Sequence, residues 1–152
     1  MKLDRYQLKS GESSTSFEFI SEGPKGRIFK IIQFSPTTYR NIFNLSFGDK
    51  HPETGEIDDL AVSDNKDTEK ILATVAASVY IFTEKHPDSW IYATGSTETR
   101  TRLYRKGIAK YLEDAENDFE IFGQAGNVWE PFEIGKSYDA FAVIRKYGNL
   151  DV

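Results

Sequence analysis

The chain has no cysteine among its 152 residues, which excludes disulfides, thiolate metal sites and a thiol nucleophile. Histidine is nearly missing too. His51 and His86 are the two present, and each precedes a proline, so both read as loop residues and leave little material for a zinc site. No Ser-His-Asp arrangement and no metal-ligand spacing emerges, so hydrolase chemistry is not expected. Nor is there an apolar run approaching the ~20 residues of a membrane span. The opening stretch, MKLDRYQLKSGESS, lacks the apolar core of a signal peptide, and the expectation is a soluble, cytoplasmic protein without membrane attachment. Cations are outnumbered, 19 Lys and Arg against 24 Asp and Glu for a net charge of −5. No global field therefore attracts nucleic acid, and such a site would have to be a local patch. Internal repeats and low-complexity tracts are absent.

Aromatics are what the chain has in quantity. Eleven Phe, eight Tyr and two Trp suggest a sheet-rich core and leave little room for extensive disorder. The length suits a single domain spanning 1–152. Residues 1–15 are expected to be loosely held, apart from Leu3, Tyr6 and Leu8, which can pack as an edge segment. A strand opens at Phe17-Glu18-Phe19-Ile20, and a turn at 21–26 carries two glycines and a proline. A second strand runs over 27–34, and 41–47 is a third with Phe43, Leu45 and Phe47 on one face. After a polar loop at 48–55, 57–62 is read as a fourth strand bearing Asp58 and Asp59. Paired aspartates can bind a metal or act as acid and base, but nothing near them on the chain completes a ligand set, and solvated edge charges are the plainer reading. Asp64 or Asp67 caps a helix to about Lys85, striped by Ile71, Leu72, Val75, Val79 and Phe82. Beyond the next strand and helix, 118–123 is a strand, 124–137 a loop with Trp129, Pro131 and Phe132, and 138–145 the strand that closes the sheet.

The stretch around which the rest is arranged is 90–112, WIYATGSTETRTRLYRKGIAKYL. Trp90 to Ala93 form a short buried strand. Thr94-Gly95-Ser96-Thr97 breaks it, with Ser96 or Thr97 as N-cap. Leu103, Tyr104, Gly107, Ile108 and Tyr111 then fall on one side of a helix at a spacing of roughly 3.6 residues, while Arg102, Arg105 and Lys106 face water. Arg100 falls on the apolar side in the first turn, where a cation works against the helix macrodipole and needs an anionic partner. That partner is either a carboxylate of the protein or a ligand held by Arg100 with Gly95, Ser96 and Thr97.

The expected fold is α+β: an antiparallel meander followed by β-α-β-α-β-β, with two main helices packed on a twisted mixed sheet. The helix between the fourth and fifth strands favours 57–62 and 90–94 as parallel neighbours. Their splay would admit a ligand beside Gly95 to Arg100. This order resembles the N-acetyltransferase (GNAT) fold with its first helices missing, over roughly 27–145. Leu103-Tyr104-Arg105-Lys106-Gly107-Ile108 is similar to that family's Leu-Tyr-Glu-Lys-x-Gly-Phe ending, one residue shorter. In that family a glycine-rich loop cradles the coenzyme A pyrophosphate. The matching place here, Leu60-Ala61-Val62-Ser63-Asp64-Asn65-Lys66-Asp67, has no glycine and two aspartates, which opposes close approach of a pyrophosphate. More closely, the chain resembles a group of uncharacterised bacterial domains bearing GEIDDL, ATGST and RTRLYR stretches, which stand at 55–60, 93–97 and 100–105.

Three functions follow as expectations. The first is a GNAT-like domain without acetyltransferase activity and without a cofactor, binding an anionic ligand or a partner at 90–112. The second, implied by the resemblance, is an active transferase using acetyl-coenzyme A, with Tyr104 as the acid that protonates the departing thiolate. The third is a nucleic-acid or regulatory partner protein using Arg102, Arg105 and Lys106, interleaved with Tyr104 and Tyr111 for stacking. The plain alternative to the third is a solvated helix face paired to Glu98, Glu113 and Asp114.

Overall fold

Hydrophobic alternation over the first half of the chain builds a sheet, and two amphipathic helices follow. The computed structural model describes residues 4–11, 15–58, 64–95 and 97–146. The fold is mixed α+β, with many strands and two main helices. The chain forms two compact units: residues 1–35 with 45–82, and 36–44 with 83–152.

In the first unit β1 (Lys9–Ser10), β2 (Ser16–Gly23), β3 (Gly26–Pro36) and β4 (Ile42–Lys50) neighbour one another in that order. β1–β2 and β2–β3 are antiparallel, with Lys9 opposite Glu18, Phe17 opposite Ile32 and Phe19 opposite Lys30. β5 (Ile57–Asp58) pairs antiparallel with the end of β4, Asp58 opposite Asp49. The period of two puts Phe17, Phe19, Ile32, Phe34, Leu45 and Phe47 on the buried face. The stripe of α1 (Thr68–Lys85) supplies the other side of this core, with Ile71, Val75 and Phe82 buried and Phe82 stacked on Phe34 at 4.3 Å. The meander and the helix after it are as the sequence predicted, and Asp67 does stand at the helix start, its carbonyl accepting from Ile71 N at 2.9 Å. Tyr6 is buried as an edge residue, while Leu3 lies outside the described residues.

In the second unit β6 (Trp90–Ala93), β9 (Ala140–Arg145), β7 (Phe119–Ala125) and β8 (Val128–Pro131) neighbour one another in that order, every pair antiparallel. Trp90 N donates to Asn41 O at 2.7 Å, so the start of β4 lies on the other side of β6. Ile91, Ala93, Phe119, Gly123 and Phe141 share the buried face. α2 (Glu98–Ala115) buries Tyr104 and Gly107, the middle of its expected apolar stripe.

Two expectations are corrected. Residues 57–62 were predicted to lie parallel beside 90–94. Instead β5 pairs with β4, and the neighbours of β6 are β4 and β9. The start of β4 therefore takes the place beside β6 that the sequence order suggests for the fourth strand, and among the described residues β5 pairs with β4 and not with β6. Residues 59–62 lie outside the described ones. The second correction is the loop at 124–137: its first part is a hairpin, turned at Gly126 (φ +62°) and Asn127, with Trp129 opposite Gln124.

Candidate functional site

The strand–turn–helix at 90–112 forms as the sequence predicts. Thr97 is the N-cap of α2, its hydroxyl accepting from Arg100 N at 3.1 Å. Thr94 Oγ1 donates to Asp139 O at 2.8 Å, tying the end of β6 to the start of β9. The turn then lies flat on the first turn of the helix. Gly95 N donates to Thr101 Oγ1 at 3.0 Å, and a Cβ at Gly95 would stand 2.2 Å from Thr101 N. Only glycine permits this approach. The Gly95 amide of the expected anion cradle, and the Arg100 amide in the first turn beside it, are thus engaged by the chain's own threonines. Ser96 lies outside the described residues. Arg100 is half-buried and has interactions within the protein.

Further along α2 the cations separate from the core. Tyr104, the acid of the transferase reading, is only 7 % exposed, turned inward with Gly107. Arg102 and Lys106 are exposed, one turn apart, and neither forms an ion pair among the described residues. Arg105 donates to Ser137 Oγ at 2.9 Å, and Lys110 Nζ lies 5.9 Å from the ring centre of its neighbour Tyr111. The result is a basic ridge of Arg102, Arg105, Lys106 and Lys110. The interleaved tyrosines expected to stack bases are not available along it. Tyr104 is in the core, and half-buried Tyr111 already lies near a lysine.

The segment entering α1, the counterpart of a pyrophosphate loop, is filled by the chain itself. Asn65 is 2 % exposed; its amide nitrogen donates to Ser21 Oγ and Gly26 O at 3.1 and 2.9 Å, and its oxygen accepts from Lys25 N at 2.7 Å. A Cβ at Gly23 would stand 2.0 Å from Asn65 O. The β2–β3 hairpin therefore lies where a pyrophosphate would approach. Asp67 is used similarly, accepting from the hydroxyls of Tyr6 and Ser21, both at 2.5 Å. Tyr6 Oη in turn accepts from Glu22 N at 3.0 Å. Burial and the Asp67 carboxylate push the Tyr6 phenol above its ordinary value. Sequence reasoning missed this network. Ser21, Asn65 and Asp67 each read as turn or cap residues, and their meeting depends on pairing across more than forty positions.

Other polar groups are also internal. The Lys30 ammonium, buried, pairs with Asp49. Asp58 is exposed opposite Asp49, and Asp59 lies outside the described residues. Among the described residues no group of three or more His, Asp or Glu is placed to hold a metal ion, and no helix is long and apolar enough to cross a membrane. Lys136 bonds both oxygens of Glu130 at 2.7 Å, lowering the carboxyl and raising the ammonium. Burial raises Tyr138, whose hydroxyl accepts from Glu133 N and bonds Glu130. On the less buried side of the second unit's strands, Tyr92 meets Trp129 edge-to-face at 6.1 Å and Trp90 meets Phe122 at 5.7 Å.

Residues 2–146 match the model of a protein family described as a family of unknown function, DUF6934. The chain belongs to that family. The match covers nearly its whole length and is consistent with an uncharacterised domain. No curated protein and no solved structure matches the chain, so membership in the family brings no activity with it.

Proposed function

We propose that this domain is a non-catalytic binding module that docks an acidic protein surface along α2. It keeps the meander–helix–strand–helix order of a GNAT-like domain without a coenzyme cradle. The observation that carries this reading is the exposure of Arg102 and Lys106 without an ion pair among the described residues. Stability alone does not explain such a ridge in a chain with five more acids than bases. Arg105 and Lys110 extend the contact, and Gly95, Thr97 and Arg100 close its N-terminal end beside the positive pole of the helix. An acidic protein segment suits the ridge better than a nucleic acid, since bases would need exposed aromatic faces between the cations and Tyr104 is buried. A transferase role for Tyr104 is disfavoured by the same burial and by the hairpin packed against Asn65.

The test is fluorescence anisotropy with labelled poly-glutamate at low salt. The double reversal Arg102→Glu/Lys106→Glu is expected to weaken binding by about tenfold or more, roughly 1.4 kcal/mol. Reversing two exposed cations elsewhere, Lys25→Glu/Arg40→Glu, changes net charge equally and should have a much smaller effect. Equal losses in the two variants would reduce the ridge to a solvated face. Tighter binding of an oligothymidylate than of poly-glutamate would favour the nucleic-acid reading.

A further inference from the structure

A second feature lies in the first unit, between the N-terminal segment and β2. A groove of about 720 Å³ opens there, within the range of small-molecule sites. One wall is apolar: Leu8, Ile20 and Phe29 line it, with Ile20 directly opposite Phe29 in the β2–β3 register. Phe29 is 55 % exposed, so much of its ring remains open to apolar contact that folding does not use. The inner end is Tyr6, pinned by Asp67, by the backbone of Glu22 and by stacking on Phe19 at 5.5 Å. That part of the groove is therefore pre-formed.

Two glutamates and two lysines line the groove, and they are partnered differently. Glu18 is neutralised by Lys50 at 2.7 Å, and Glu22 faces Arg27 at 3.7 Å. The two lysines of the groove are less satisfied. Lys9 has no ion pair among the described residues. Lys70 lies over the Tyr6 ring at 4.4 Å, and its carboxylate neighbour Asp4 is 3.9 Å away with a side chain 87 % exposed. Lys9, with no ion pair among the described residues, and Lys70, whose carboxylate partner is itself exposed, stand beside an apolar wall and suit a ligand with an anionic head and a hydrocarbon body.

We propose that this groove binds a small amphipathic carboxylate, its carboxyl group held by Lys9 and Lys70 and its hydrocarbon body laid on Leu8, Ile20 and Phe29. The site is separate from the ridge on α2 and does not depend on the function assigned to it. It needs neither metal nor cofactor.

Calorimetry with octanoate and with its methyl ester tests this on the full chain. Octanoate should bind saturably below millimolar concentration, and the ester, which keeps the chain but loses the charge, about tenfold or more weaker. The pair Lys9→Gln/Lys70→Gln should bring octanoate down to the level of the ester, and Phe29→Ser should weaken both ligands together. Circular dichroism melts confirm that each variant is folded. Arg102→Glu/Lys106→Glu should bind octanoate like the unaltered chain, which keeps the fate of this site apart from that of α2. Absence of saturable heat at millimolar octanoate would overturn the proposal. So would equal affinity for acid and ester, or an affinity untouched by the lysine changes.

Discussion

Asn65 carries more structure than its place in a polar loop suggests. It is enclosed, and its side chain serves three groups drawn from β2, the hairpin turn and β3. Replacing it with Ala would leave the Lys25 amide and the Gly26 carbonyl without their partner. The expected cost is about 1–3 kcal/mol, read as a lower urea midpoint with an unchanged slope. A change in slope instead would mean that the hairpin itself had come loose. Glu130 and Lys136 offer a residue-scale test in pH. The Glu130 carboxyl is held below its ordinary 4.5 by the Lys136 hydrogen bond, and Lys136 is held above its ordinary 10.5 by Glu130. The contribution of Glu130 is present above its unfolded value and lost as pH falls through the lowered one. That of Lys136 is present below its unfolded value and lost as pH rises through the raised one. The stability gap between the chain and Lys136→Met should therefore be widest from pH 6 to 9, as both groups are then charged, and should close at both extremes. A gap independent of pH would assign the effect to packing of the lysine stem.

At the scale of elements, α2 was the most legible part of the chain. Its N-cap, its apolar stripe and the glycine before it are local chemistry: Tyr104 and Gly107 stand where spacing places them, and of the two cap candidates, Ser96 and Thr97, Thr97 is the cap. The β8 hairpin was legible in principle: Gly126-Asn127 between apolar residues is a two-residue turn signal, obscured by Pro131 and by Trp129 reading as a loop plug. β1 has only two residues, too short for any pattern. What local pattern could not supply was the partner of β6, because β9 reaches it from the far end of the chain and pairing at that separation leaves no periodic trace. Thr97→Ala is expected to cost about 1 kcal/mol through loss of the cap. Gly95→Ala should cost more, since its Cβ would lie within 2.7 Å of three atoms of Arg100 and Thr101. If Thr97→Ala leaves the melt unchanged and Gly95→Ala is neutral, the turn does not lie on α2 as described.

The whole molecule is acidic, yet Arg102, Lys106 and Lys110 stand exposed along one helix of the second unit. Composition shows the net charge and hides this arrangement, which depends on which residues the fold buries. Tyr104 and Arg102 are two positions apart, and one is enclosed while the other faces water. The tyrosines that would have made the ridge a base-stacking surface are drawn into or against the core, so the ridge is left as a plain row of positive charge. Amide resonances of the folded chain, followed by nuclear magnetic resonance during titration with poly-glutamate, test that conclusion most directly. Saturable shifts centred on Arg102, Arg105, Lys106 and Lys110 are expected, fading as salt is added. Shifts absent from α2, or confined to Lys9 and Lys70, would contradict it.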